Sequence, residues 1–101
     1  MITITAVIQS SAADIEALRD VLAEMETASR AEDGCHDYTF LQEVSAPDVL
    51  RINERWESME ALQKHFATPH MAKFNEAISA HPPKSMDLQI HELGEALSLP
   101  S

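Results

Sequence analysis

An α+β fold is predicted by three features of this 101-residue chain. Residues 2–9 and 86–93, near its two ends, alternate apolar and polar side chains with period two. Two more period-two runs, 36–44 and 49–56, are separated only by the polar turn 45–48, the mark of a hairpin. Helical spacing follows Ser11, and again Ser58 and Thr68. The order is β-α-β-β-α-β, a split βαβ or ferredoxin-like pattern, with a four-stranded antiparallel sheet and helices on one face.

Each element has a local cause. Residues 2–9 are rich in β-branched side chains, which favour a strand. Ser11 with Asp14 three residues later resembles a capping box, and Ile15, Leu18, Val21, Leu22 and Met25 then form an apolar stripe that runs to about Ala31. The turn Glu32-Asp33-Gly34 places a glycine where a left-handed residue would end it. In the second strand His36, Tyr38, Phe40 and Gln42 are expected on one face. Ser58 caps a short second helix. Thr68 caps a third with Pro69 at its first position, Met71, Phe74, Ala77 and Ile78 turned inward, and Pro82-Pro83 beyond its end. The whole of 1–101 reads as one domain, with a core over 2–93 and a tail over 94–101.

The strands have one face that is plainly more apolar: Ile2, Ile4 and Ile8, then Tyr38 and Phe40, then Leu50, Ile52 and Trp56, then Met86, Leu88 and Ile90. The helices should cover that face. The other face carries Thr3, Thr5, Val7, Thr39, Leu41 and Leu93 among Asp37, Glu43, Arg51, Arg55, Asp87 and His91. Such a face can stay wet or pack on a second copy.

Seven Lys and Arg against seventeen Asp and Glu give a formal net charge of −10. Nucleic acid and anionic membrane surfaces, which need a basic face, are therefore not expected partners. One cysteine, Cys35, permits no intrachain disulfide and suits a reducing cytoplasm, and its acidic neighbours disfavour a reactive thiolate. No apolar run approaches the length of a membrane span.

Residues 49–74 hold the only Trp, two of the three Phe and two of the five His. Aromatics beside imidazoles suit a pocket for a flat organic molecule, and equally suit a plain core. His65 and His70 are five apart with Pro69 between them, a spacing unsuited to two metal ligands on one helix, and no Cys or paired acidic ligand is expected to supply the remainder. No metal and no cofactor is expected. Glu54 shares a strand face with Ile52 and Trp56. Beneath the helices it would be a carboxylate of raised pKa, with His65 or His70 as a candidate acid/base partner; at the open end of the sheet it would lie in water.

The series Glu32-Asp33-Gly34-Cys35-(x2)-Tyr38, then Glu54-Arg55-Trp56-Glu57-Ser58-(x2)-Ala61-Leu62-(x2)-His65-(x2)-Thr68-Pro69-His70-(x3)-Phe74, resembles the antibiotic biosynthesis monooxygenase family, in its quinol-monooxygenase-like branch. The resemblance runs over about residues 2–93. It implies a dimeric α+β barrel in which two sheets pack face to face. It also implies cofactor-independent oxidation of a small quinol- or polyphenol-like aromatic by dioxygen. The family further includes haem-degrading proteins, proteins that process small autoinducer-type sugars, and members without known activity. The competing expectations are therefore a non-catalytic small-molecule-binding or interaction domain, or an isomerase or processing enzyme for a small autoinducer-type metabolite. Ile52 stands where the polyketide-oxidising members carry Asn, and the first strand lacks the Asn of the haem-degrading ones. On this resemblance His65 is the expected base and Glu54 its orienting carboxylate. Trp56, Phe40, Phe66 and Ile52 are expected as walls, and Tyr38 or His70 as donors to a substrate oxygen.

Overall fold

The structure, a computed structural model, describes residues 1–100, so Ser101 of the expected tail lies outside the described residues. Seven elements follow in order: β1 (Ile2–Gln9), α1 (Ala12–Arg30), β2 (Cys35–Glu43), β3 (Ala46–Trp56), α2 (Met59–Phe66), α3 (Pro69–Ala80) and β4 (Ser85–Glu92). The strands form one antiparallel sheet in the order β2-β3-β1-β4. The expected fold class is thus observed, with the second helical region split at Ala67–Thr68.

The helix starts are where the side chains can cap them. Ser11 Oγ accepts from the Asp14 amide at 3.1 Å, Ser58 Oγ from Ala61 at 3.2 Å and Thr68 Oγ1 from Met71 at 3.3 Å. Each satisfies an amide that has no partner inside its own helix. Gly34 has φ +82°, the left-handed conformation expected of it.

Cross-strand pairing lines the inner face up in rows. Tyr38, Glu54, Ile4 and Ile90 form one row, Phe40, Ile52, Ala6 and Leu88 the next, and Gln42, Leu50, Ile8 and Met86 the third. Ile15, Leu18, Leu22 and Met25 of α1 pack on this face and are buried, as is Leu62 of α2, while Val21 is partly buried. Burying each such side chain is worth roughly 1.5–3 kcal/mol.

Three expectations fail. His36 does not share the face of Tyr38, because the pairing shifts between Cys35 and Asp37; this turns Cys35 toward the core and leaves His36 exposed beside Glu57. Residues 46–48 belong to β3 rather than to the turn. The hairpin closes at Glu43 opposite Ala46, and an irregularity after Gln42 accommodates Pro47, whose carbonyl accepts from Gln42 Nε2 at 2.6 Å. Met86, Leu88 and Ile90 face the helix side, yet no helix covers them: they are 59%, 47% and 48% exposed, and all of β4 is exposed. The reason is placement. β4 is the sheet edge beyond β1, while α1 packs on β2 and β3 and α3 packs on α1. The tail residues 94–100 carry no helix or strand. No helix among the described residues is long and apolar enough to cross a membrane.

Candidate active site

The uncovered flank of the sheet opens a cavity of about 220 Å³ between the strands and α3. Its floor is Tyr38, Phe40, Ile52, Ile4 and Ala6, its roof Met71, Phe74 and Ile78, and its lip Met86, Leu88 and Ile90. Phe66 stands at the mouth, 55% exposed, and Phe40 stacks on Phe74 with centroids 5.7 Å apart. The inward residues of α3 are only partly buried because this space lies beneath them.

Glu54 lines the apolar cavity as a carboxylate 7% exposed, flanked in its row by Tyr38 and Ile4. Burial pushes its pKa up to about 7; the hydrogen bond from Trp56 opposes that rise and the charge of Glu32 adds to it. The bond runs from Trp56 Nε1 to Glu54 Oε1 at 2.9 Å. Alternation on a strand makes it possible, since residues two apart share a face. Tyr38 is held as a neutral phenol, first by burial and then by the charge of Glu54. At the other end of the cavity His81, also on its lining, meets Asp14 through Nδ1 at 3.1 Å.

Of the residues named from the sequence, Glu54, Tyr38, Phe40, Phe66 and Ile52 come together on the cavity. Trp56, His65 and His70 do not line it. Trp56 is fully buried, so it is core rather than wall, and it meets the site through its bond to Glu54 and its edge-on packing against Tyr38. His65 is 1% exposed, packed between Trp56 and Tyr38 at centroid distances of 4.7 and 5.3 Å.

Glu54 is not the orienting partner of His65. That carboxylate is Glu32, whose Oε2 meets His65 Nδ1 at 2.7 Å and His70 Nε2 at 2.8 Å. The expectation that no acidic group accompanies the two histidines therefore also fails. Sequence distance hid the cluster: Glu32 lies 33 and 38 residues before the histidines, in a turn whose composition explains itself without them. His81 was hidden likewise, standing beyond a helix end next to Pro82.

A family model described as "Antibiotic biosynthesis monooxygenase" matches residues 1–77. "Probable quinol monooxygenase YgiN" of Escherichia coli K12 is 32% identical over 71 residues, spanning 62% of this chain and 68% of that protein. A crystal structure from Deinococcus radiodurans, named as a candidate antibiotic biosynthesis monooxygenase, is similar with a TM-score of 0.89 at 27% identity, covering 100% of both chains. Rv0793 of Mycobacterium tuberculosis is similar with a TM-score of 0.83 at 25% identity, covering 96% of this chain and 98% of that one. With the model matched over most of its length, this chain belongs to the antibiotic biosynthesis monooxygenase family.

Proposed function

We propose that the protein is a monooxygenase that oxidises a small quinol-like aromatic with dioxygen, and that Glu54 is its base. The observation that carries this reading is a buried carboxylate on the lining of a mainly apolar, aromatic-walled cavity, where burial pushes its pKa up to about 7. A base of that pKa is half ionised at neutral pH, the condition under which proton transfer is most effective.

The steps are few. The substrate ring lies against Phe40 and Phe74 with one hydroxyl toward Glu54, which takes the proton. The resulting anion is electron-rich enough to give an electron to dioxygen without a redox group on the protein. One oxygen atom enters the ring and the other leaves as water, the hydroquinone supplying all the electrons and becoming a hydroxylated quinone. Trp56 holds the carboxylate in place through Nε1, and the neutral Tyr38 hydroxyl, in the same row, donates to charge that develops on oxygen. The relative named as a quinol monooxygenase supports this substrate class. His65 and His70 are left out of the proton transfer because neither lines the cavity.

We also read the protein as a cytoplasmic homodimer. The lone free thiol supports the compartment. The outer sheet face, where Val7 and Leu41 are 37% and 41% exposed beside Arg51, supports the dimer. Oxygen uptake by purified protein with a panel of hydroquinones tests the activity. Ligand binding without uptake would assign the cavity to a non-catalytic binding domain instead.

A further inference from the structure

The cluster of Glu32, His65 and His70 plays no part in the proton transfer above, and its geometry is that of a ligand set. One carboxylate oxygen and two imidazole nitrogens lie within 4.8 Å of one another, each from a different element: the turn after α1, the last turn of α2 and the first turn of α3. Both imidazoles converge on the same oxygen, Oε2, at 2.7 and 2.8 Å. Donors around a bound zinc-type ion stand roughly 3 Å apart, since each lies about 2.0–2.2 Å from the metal. Oε2 now stands between the two nitrogens, so withdrawal of the Glu32 carboxylate and a closer approach of the partly exposed His70 ring to the fixed His65 ring open the place for an ion.

The cluster is also built to stay in place. Packing against Trp56 and Tyr38 fixes the His65 ring, and the Thr68 hydroxyl donates to the His65 carbonyl at 2.7 Å. The turn bearing Glu32 is clamped on α2, for Gly34 lies so close that a Cβ there would stand 2.7 Å from that of Ala61. Access exists on the side away from the cavity. Glu32 borders an open groove with Asp33, Glu57 and the Glu60–Lys64 ion pair, whose net negative charge draws cations, and His70 is partly exposed.

We propose that Glu32 Oε2, His65 Nδ1 and His70 Nε2 bind one divalent transition-metal ion of the zinc class, with water from the groove completing its shell. On binding, each imidazole carries its proton on the other ring nitrogen and offers a lone pair to the ion. Two histidines and one carboxylate suit zinc, cobalt and nickel, and are a poor set for calcium or magnesium, which prefer all-oxygen shells. The ion ties the α1–β2 turn to α2 and α3 and so fastens the roof of the cavity without touching the substrate.

The test uses the full chain, treated with chelator and then titrated with Zn²⁺ by calorimetry and with Co²⁺ by visible absorption. One ion per chain, cobalt d–d bands and a Tm that rises with Zn²⁺ concentration are expected. His70→Ala and Glu32→Gln should each weaken binding by at least about 10–100-fold, the loss that removing even an outer partner of a metal ligand causes. Glu16→Gln, on the exposed face of α1 and outside both the groove and the ligand set, should leave the affinity unchanged. Imidazole ¹⁵N shifts of the wild-type chain should move at Nδ1 of His65 and Nε2 of His70 on adding Zn²⁺. Absence of saturable binding, or equal binding by the wild type and His70→Ala, overturns the proposal. None of these readings uses oxygen consumption, so a chain without the metal site and a chain without quinol oxidation are told apart.

Discussion

Trp56 Nε1 donates to Glu54 Oε1 at 2.9 Å, and this bond ties the buried indole to a carboxylate on the cavity. The indole is fully buried, whereas the carboxylate it holds lines the space between the sheet and α3. A hydrogen bond to the charged form favours ionisation and burial disfavours it; here burial is the larger effect.

Stability should carry the signature of that carboxylate. Its pKa rises from 4.5 in the unfolded chain to about 7 in the folded one, so the folded state holds the proton more tightly. The contribution is fully present below about pH 4.5, falls as pH rises through 7, and is flat above. The difference amounts to about 3 kcal/mol at about 1.4 kcal/mol per pKa unit. Urea unfolding of the wild type and of Glu54→Gln between pH 4 and pH 8 isolates it. The wild type should lose stability relative to the variant, and parallel curves would mean that Glu54 titrates normally.

Oxygen uptake with an active hydroquinone should rise with pH along a limb centred near 7, the pKa of the base. Glu54→Gln keeps an acceptor for Trp56 and removes the base, so turnover should fall by roughly 100–10,000-fold and the limb should vanish. A variant that keeps its turnover would move the base elsewhere, with His65 or His70 next to examine.

Trp56→Phe removes the donor while keeping a buried ring. Glu54 should then bind its proton more tightly, and the activity limb should move to higher pH. Trp56→Ala should instead destabilise the fold by roughly 3–5 kcal/mol, as deletion of a buried aromatic does. A Phe variant with an unmoved limb would show that the bond does not tune the carboxylate.

Gly34→Ala meets two obstacles. Its φ of +82° is costly for any residue with a Cβ, and the new methyl would lie 2.7 Å from Ala61 Cβ. A loss of roughly 1–3 kcal/mol is expected for the backbone strain alone. Adding Ala61→Gly should recover the steric part and leave the strain. Thermal unfolding of the single and double variants reads both.

The dimer proposal predicts twice the chain mass by light scattering at micromolar concentration. Leu41→Asp, on the outer face, should shift the protein toward monomer without unfolding it, because a carboxylate there must lose its water to pack. A wild type that is monomeric under those conditions removes the proposal.

The sequence by itself determined which elements form, their order and the inner face of the sheet, apart from His36 at the shifted start of β2 and the early start of β3 at Ala46. Strand alternation and the caps at Ser11, Ser58 and Thr68 act within a few residues, so local spacing is enough to read them. Glu54 could be placed beside Ile52 and Trp56 on the same grounds, and its bond to Trp56 is a consequence of period two. The tertiary structure decided what lies across the chain from what. It separated Trp56, His65 and His70 from the cavity, and it brought Glu32 to the two histidines from 33 and 38 residues away. It also left Met86, Leu88 and Ile90 uncovered, for an apolar strand face records only which side it turns to the helices. Whether a helix reaches that far depends on strand order, and β4 lies at the edge beyond β1.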